Sequence, residues 1–76
     1  MSNAYAVQFS IKMSVDECQT IYAGKIKHLR VRASDGLVYQ IPSANFRQFI
    51  THHGINGNFM LFFDENKKFI GIRQIN

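Results

Sequence analysis

Apolar and polar residues alternate without a break from Tyr5 to Met13. Tyr5, Val7, Phe9, Ile11 and Met13 fall on one side, and Ala6, Gln8, Ser10 and Lys12 on the other. A period of two marks a strand with one buried face, so this stretch predicts a β-strand. The period then changes. Ser14-Val15-Asp16-Glu17 has the spacing of a capping box: the serine hydroxyl accepts the Glu17 N–H, and the glutamate reaches back to the serine N–H. Val15, Cys18, Ile21 and Tyr22 follow on one helical stripe, and Gly24 is a natural stop. About two turns of helix do not hold by propensity, so the helix is predicted to dock on a sheet.

A second strand is predicted over Lys25 to Ala33, with Leu29, Val31 and Ala33 on one face and Arg30 and Arg32 on the other. Ile26 is out of phase with Leu29, which predicts a bulge near Lys27-His28. Ser34-Asp35-Gly36 reads as a tight turn, and Leu37 to Ile41 as the returning strand of a hairpin. Pro42 ends that strand. Ser43 is positioned to cap a second short helix, Ala44 to about Thr51, with Phe46, Phe49 and Ile50 as its apolar stripe. His52-His53-Gly54 closes it, and Ile55-Asn56-Gly57 reads as a loop. Asn58 to Phe63 is apolar on both faces, as in a strand buried on both sides or one lying at an interface. After the polar turn Asp64-Glu65-Asn66-Lys67, Lys68 to Ile75 forms the last strand, with a bulge or close approach at Gly71.

The order is β-α-β-β-α-β-β. It predicts an α+β fold with two short helices and a five-stranded, mostly antiparallel sheet, curled or closing into a small barrel. Residues 5–76 read as a single domain, and Met1–Ala4 as a flexible start or a cloning remnant. The chain has 76 residues, 46% of them hydrophobic and 18% charged, which excludes a wholly disordered or collagen-like chain. So small a domain hides only about 60% of its unfolded surface. Its seven Phe and three Tyr supply large apolar area in compensation. No apolar run reaches the roughly 20 residues of a membrane span, and the start lacks the regions of a secretory signal. A cytoplasmic protein with one reduced thiol, away from the membrane, is the expectation.

Nine Lys and Arg against five Asp and Glu give a net charge of +4. Four of those cations, Lys25, Lys27, Arg30 and Arg32, lie in one stretch with His28 and no acid. They form a candidate phosphate-tracking surface, with Tyr39 or Phe62 as a stacking platform. The plainer explanation is the solvated face of an amphipathic strand, whose charges also blunt edge pairing. Met60 and Phe62 form a second candidate surface: if one sheet face is open, they are exposed there and a partner or a second copy covers them. A helix over that side, or a closed barrel, explains them equally well.

Other groups are explained by structure. Adjacent His52 and His53 diverge and have no nearby acid or thiol to complete a metal site. Cys18 lies on the apolar stripe, where a buried thiol is inert. Asp16-Glu17 start a helix and Asp64-Glu65 sit in a turn. Gly54, Gly57 and Gly71 do not form a phosphate loop. No catalytic residue, metal or cofactor is therefore predicted.

Ser14 to Gly24, Val31 to Gly36, Ile41-Pro42-Ser43-Ala44, Arg47 to Thr51, His53 to Gly57 and Asp64-Glu65-Asn66 together resemble a family of short proteobacterial proteins of unknown function. The resemblance runs from about Tyr5 to Ile75. It implies a small stand-alone bacterial protein and brings no activity, ligand or catalytic residue. The sequence thus predicts a non-enzymatic binding or protein-interaction module, self-associating as a homodimer through strand edges or the Met60/Phe62 face, or engaging another protein. A weak nucleic-acid binder using the basic stretch is the alternative.

Overall fold

The computed structural model describes residues 4–76. Met1, Ser2 and Asn3, within the stretch read as a flexible start or remnant, lie outside the described residues. The elements run β1 (Tyr5–Met13), α1 (Val15–Tyr22), β2 (His28–Arg32), β3 (Val38–Pro42), a 3-10 helix (Ser43–Phe49), β4 (Ile55–Phe63) and β5 (Phe69–Gln74). This is an α+β fold in the predicted order. The strands form two antiparallel sheets, not one curled sheet or a closed barrel. One sheet has the order β1-β4-β5, and β2-β3 stand apart as a two-stranded ribbon.

The division follows from where the apolar faces must go. In β1, Phe9 and Met13 are buried, with Val7 and Ile11 packed against the core. Their partners across the ladder are Phe59, Ile55, Leu61 and Gly57. The ribbon's inner residues, Val31, Tyr39 and Ile41, are also buried. A continuous sheet would leave these two inner faces side by side. Instead the ribbon lies over the inner face of the first sheet, and the Tyr39 and Phe63 rings meet 5.2 Å apart. The sheets are also joined by hydrogen bonds along a seam: Ser34 N–H donates to the Gln8 carbonyl at 2.7 Å, and Gln8 N–H donates to Ser34 Oγ at 3.3 Å.

α1 begins as predicted. Ser14 Oγ accepts from Glu17 N–H at 3.2 Å, and Glu17 Oε1 accepts from Ser14 N–H at 3.0 Å. Its buried stripe is narrower than predicted. Cys18 and Ile21 are in the core, while Val15 and Tyr22 are exposed, because eight residues docked at one edge bury only their middle turn. The bulge predicted near Lys27-His28 is absent. β2 starts at His28, and Lys25 and Ile26 donate back to the Thr20 carbonyl, so the phase break marks the strand's beginning.

The second helix is 3-10 rather than α. Ser43 does not cap it: its hydroxyl donates to the Ile26 carbonyl at 2.5 Å, and its N–H to the Lys27 carbonyl at 2.9 Å. A 3-10 turn has three residues and eclipses positions i and i+3. That puts Ser43, Phe46 and Phe49 on one line. Phe46 and Phe49 then both meet the Phe59 ring edge-on, at 6.4 and 5.0 Å. Phe9 stacks on Phe59 from the neighbouring strand at 5.5 Å. Ile55-Asn56-Gly57, predicted as a loop, opens β4 and pairs with Met13, Lys12 and Ile11. The bulge predicted at Gly71 lies beside it. Phe62 pairs with Gly71 and Phe63 with Phe69, leaving Ile70 as the extra residue.

Candidate binding surfaces

The basic stretch is divided by the fold. His28, Arg30 and Arg32 stand on the outer face of β2, all exposed, opposite Pro42, Gln40 and Val38 of β3. Lys25 and Lys27 are exposed as well, but they lie on the lead-in before the strand. The inner face opposite carries Leu29, Val31, Tyr39 and Ile41, so the ribbon is anchored from beneath. Arg32 Nη1 donates to the Gly36 carbonyl at 3.1 Å, which ties it to the hairpin turn. A shallow groove lined by Gln8, Phe9, Ser10, Arg32, Ala33 and Ser34 follows the seam between the sheets.

The predicted stacking platform is not beside these cations. Tyr39 is turned into the core, and its hydroxyl donates to Asp35 Oδ2 at 2.5 Å. Phe62 is on the other sheet. Asp35, the one acid of the hairpin, also accepts from Leu37 N–H at 3.0 Å. The Tyr39 hydroxyl and then the Leu37 N–H hold the Asp35 carboxyl below its ordinary range. The same bond to Asp35 pushes the Tyr39 phenol up.

Met60 and Phe62 stand on the outer face of the three-stranded sheet. Phe62 is aligned with Ala6 and Gly71, and Met60 with Gln8 and Arg73. Both are half-buried rather than exposed. The Arg73 guanidinium lies over the Phe62 ring at 5.8 Å. Further along, the face turns polar. Ser10 donates to Asn58 Oδ1, and Asn58 Nδ2 donates to Asn76 Oδ1 at 2.8 Å. α1 and the 3-10 helix both send their buried residues, Cys18, Ile21 and Phe46, to the inner face. Among the described residues no element covers the outer one.

His52 and His53 do not diverge as expected: they sit at the tip of a turn closed by reciprocal Thr51–Gly54 backbone bonds of 2.9 Å, which brings their ring centroids to 4.0 Å. Among the described residues no group of three or more His, Cys, Asp or Glu side chains converges as a metal site would require. His53 and Glu17 line one groove with Lys12, Met13 and Ser14. The Glu17 carboxylate is already engaged by the capping box. Cys18 is buried, and burial pushes its thiol up. Thiol, imidazole and acid therefore do not meet in a cleft.

Residues that the sequence reading passed over are Gln40 and Val38. They share the ribbon's outer face with the arginines. The alternation of β3, with Tyr39 and Ile41 as its apolar members, is the signal that places them there.

The fold and surfaces define a small α+β domain of two antiparallel sheets, with a packed aromatic interior and two solvent-facing sheet faces. The chain belongs to the family described as protein of unknown function (DUF2835), whose model matches residues 5–75. No curated protein and no solved structure matches it. No helix among the described residues is long and apolar enough to cross a membrane.

Proposed function

We propose that this chain is a non-enzymatic interaction module that self-associates through the outer face of β1-β4-β5. One observation carries this reading: Met60 and Phe62, large apolar residues in the central strand, lie on a face that neither helix covers. Apolar side chains in the middle of an open sheet gain by removal from water. The neighbours Ala6 and Gly71 are small enough to let a second surface approach. Arg73 and Gln8 supply a polar rim around them. Sedimentation velocity of the wild type and of Met60→Lys tests the reading. The wild type is expected to sediment as a dimer at tens of micromolar and the variant as a monomer with unchanged circular dichroism. A wild type that stays monomeric at high concentration overturns it.

A second reading is favoured by a separate observation. Lys25, Lys27, Arg30 and Arg32 are exposed together with His28, and no acid shares the outer face of the ribbon. Such a face suits a phosphate backbone, and this makes the chain a nucleic-acid binder. Binding to any nucleic acid at low salt, lost steeply as salt is added, is its test. No binding at low salt removes it.

A further inference from the structure

The β2-β3 ribbon is separate from the other sheet, and its outer face carries Arg30 directly opposite Gln40, Arg32 opposite Val38, and His28 opposite Pro42. We infer that this ribbon is a reader of duplex DNA that lies in the major groove. The inference rests on the second, nucleic-acid reading of the same basic face and names its ligand.

Three features argue for the duplex. First, the major groove of B-form DNA is about 12 Å wide and admits a two-stranded β-ribbon, whose strands are about 4.8 Å apart. The ribbon is made rigid by its inner face, where Val31, Tyr39 and Ile41 are buried, so its outer face meets the groove preformed. Second, residues two apart on a strand are about 6.7 Å apart, which matches two base steps of about 3.4 Å. Arg30 and Arg32 are so spaced along β2. Third, the chemistry is that of base edges. Arginine pairs bidentately with guanine O6 and N7, glutamine with adenine N6 and N7, and an aliphatic side chain packs on the thymine methyl. Arg30, Gln40 and Val38 are those three types on one face. Lys25 and Lys27, on the lead-in, reach the flanking phosphates as point charges.

Competing nucleic acids fit less well. Single strands are held by stacking on exposed Phe, Tyr or Trp rings, and the ribbon's one such ring, Tyr39, faces inward. Double-stranded RNA has a major groove too narrow for a ribbon. Repulsion from acid is also low. The hairpin's one carboxylate, Asp35, is at the turn and is engaged by Tyr39 and Leu37.

Fluorescence anisotropy with the full chain tests this. The probes are a 24-base-pair DNA duplex of mixed sequence, one of its strands alone, and an RNA duplex of the same sequence. The DNA duplex is expected to bind best, with a log–log salt slope of about −2 from the two phosphate-facing lysines. Removing both lysines (Lys25→Ala with Lys27→Ala) is expected to weaken every duplex and flatten the slope by about 2. Arg30→Ala is expected to weaken the best duplex selected from a random pool by about tenfold or more, while sparing mixed-sequence DNA. All these side chains are exposed, and circular dichroism checks that each variant stays folded. No binding of any probe at low salt overturns the nucleic-acid reading as a whole. Binding that is as tight to the single strand or to RNA, or that Arg30→Ala leaves unchanged on the selected duplex, overturns the groove-reading ribbon alone.

Discussion

Gly54 lies against the carbonyl oxygen of Met13, so close that a methyl group on its α-carbon would overlap that backbone atom. The same residue has φ +93°, in the region L side chains avoid. The contact ties the start of β4 to the end of β1, where Met13 and Ile55 pair. Gly36 offers a comparison. Its φ is +85°, but nothing lies within 4 Å of where its Cβ would be. Gly36→Ala is therefore expected to cost about 1–2 kcal/mol, the conformational term alone. Gly54→Ala is expected to cost clearly more, because backbone must also move. Urea denaturation of both variants checks the difference, and equal losses would show that the Met13 contact is immaterial.

The Tyr39–Asp35 bond makes stability depend on pH in two windows. Asp35 has a lowered pKa when folded, so its contribution is present above the ordinary carboxylate range and is lost as pH falls through the lower folded value. Tyr39 has a raised pKa when folded, so its contribution is present below the ordinary phenol value and is lost as pH rises from there through the folded one. Tyr39→Phe removes the phenol's contribution and the largest part of the carboxyl's, while the Leu37 N–H still holds Asp35. The melting temperature of the wild type is expected to exceed that of the variant by a steady margin from about pH 5 to pH 9, outside both titrations. The margin is expected to shrink in acid and in alkali. A margin flat from pH 2 to pH 11 would mean that the bond contributes nothing.

Two phenylalanines three residues apart in β4 face opposite ways. Phe59 is fully buried beneath Phe46, Phe49 and Phe9. Phe62 is half-buried under Arg73. Phe59→Ala is expected to cost about 3–5 kcal/mol. That is a large part of the 5–15 kcal/mol typical of a whole domain, so the variant is expected to lose its folded baseline on mild warming. Phe62→Ala leaves no enclosed cavity and is expected to cost well under half as much. Thermal melts of both settle the order, and a larger loss at Phe62 would mean that its face is covered.

Cys18 is expected to react with an aromatic disulfide reagent at least about a hundredfold more slowly in the native protein than in denaturant. Burial both shields the thiol and raises its pKa. Rapid native labelling would place the thiol at the surface and reopen a chemical role for it.

Local pattern determined much of this protein. The strict alternation of Tyr5 to Met13 set the first strand, and Ser14 with Glu17 set the start of the helix. Both are read from neighbours in the chain, because strand period and capping geometry act over two to four residues. Tertiary structure decided the rest. Tyr39 looked like a candidate stacking surface but turns inward, because its ring meets Phe63, 24 residues away. Ser43 looked like a cap, but its hydroxyl goes to Ile26, and Phe46 and Phe49 take 3-10 spacing to reach Phe59 together. The five strands divide into two sheets because burying the ribbon's inner face requires it to lie over the first sheet. Such choices are made by partners distant in sequence, and only the assembled core brings those partners within contact.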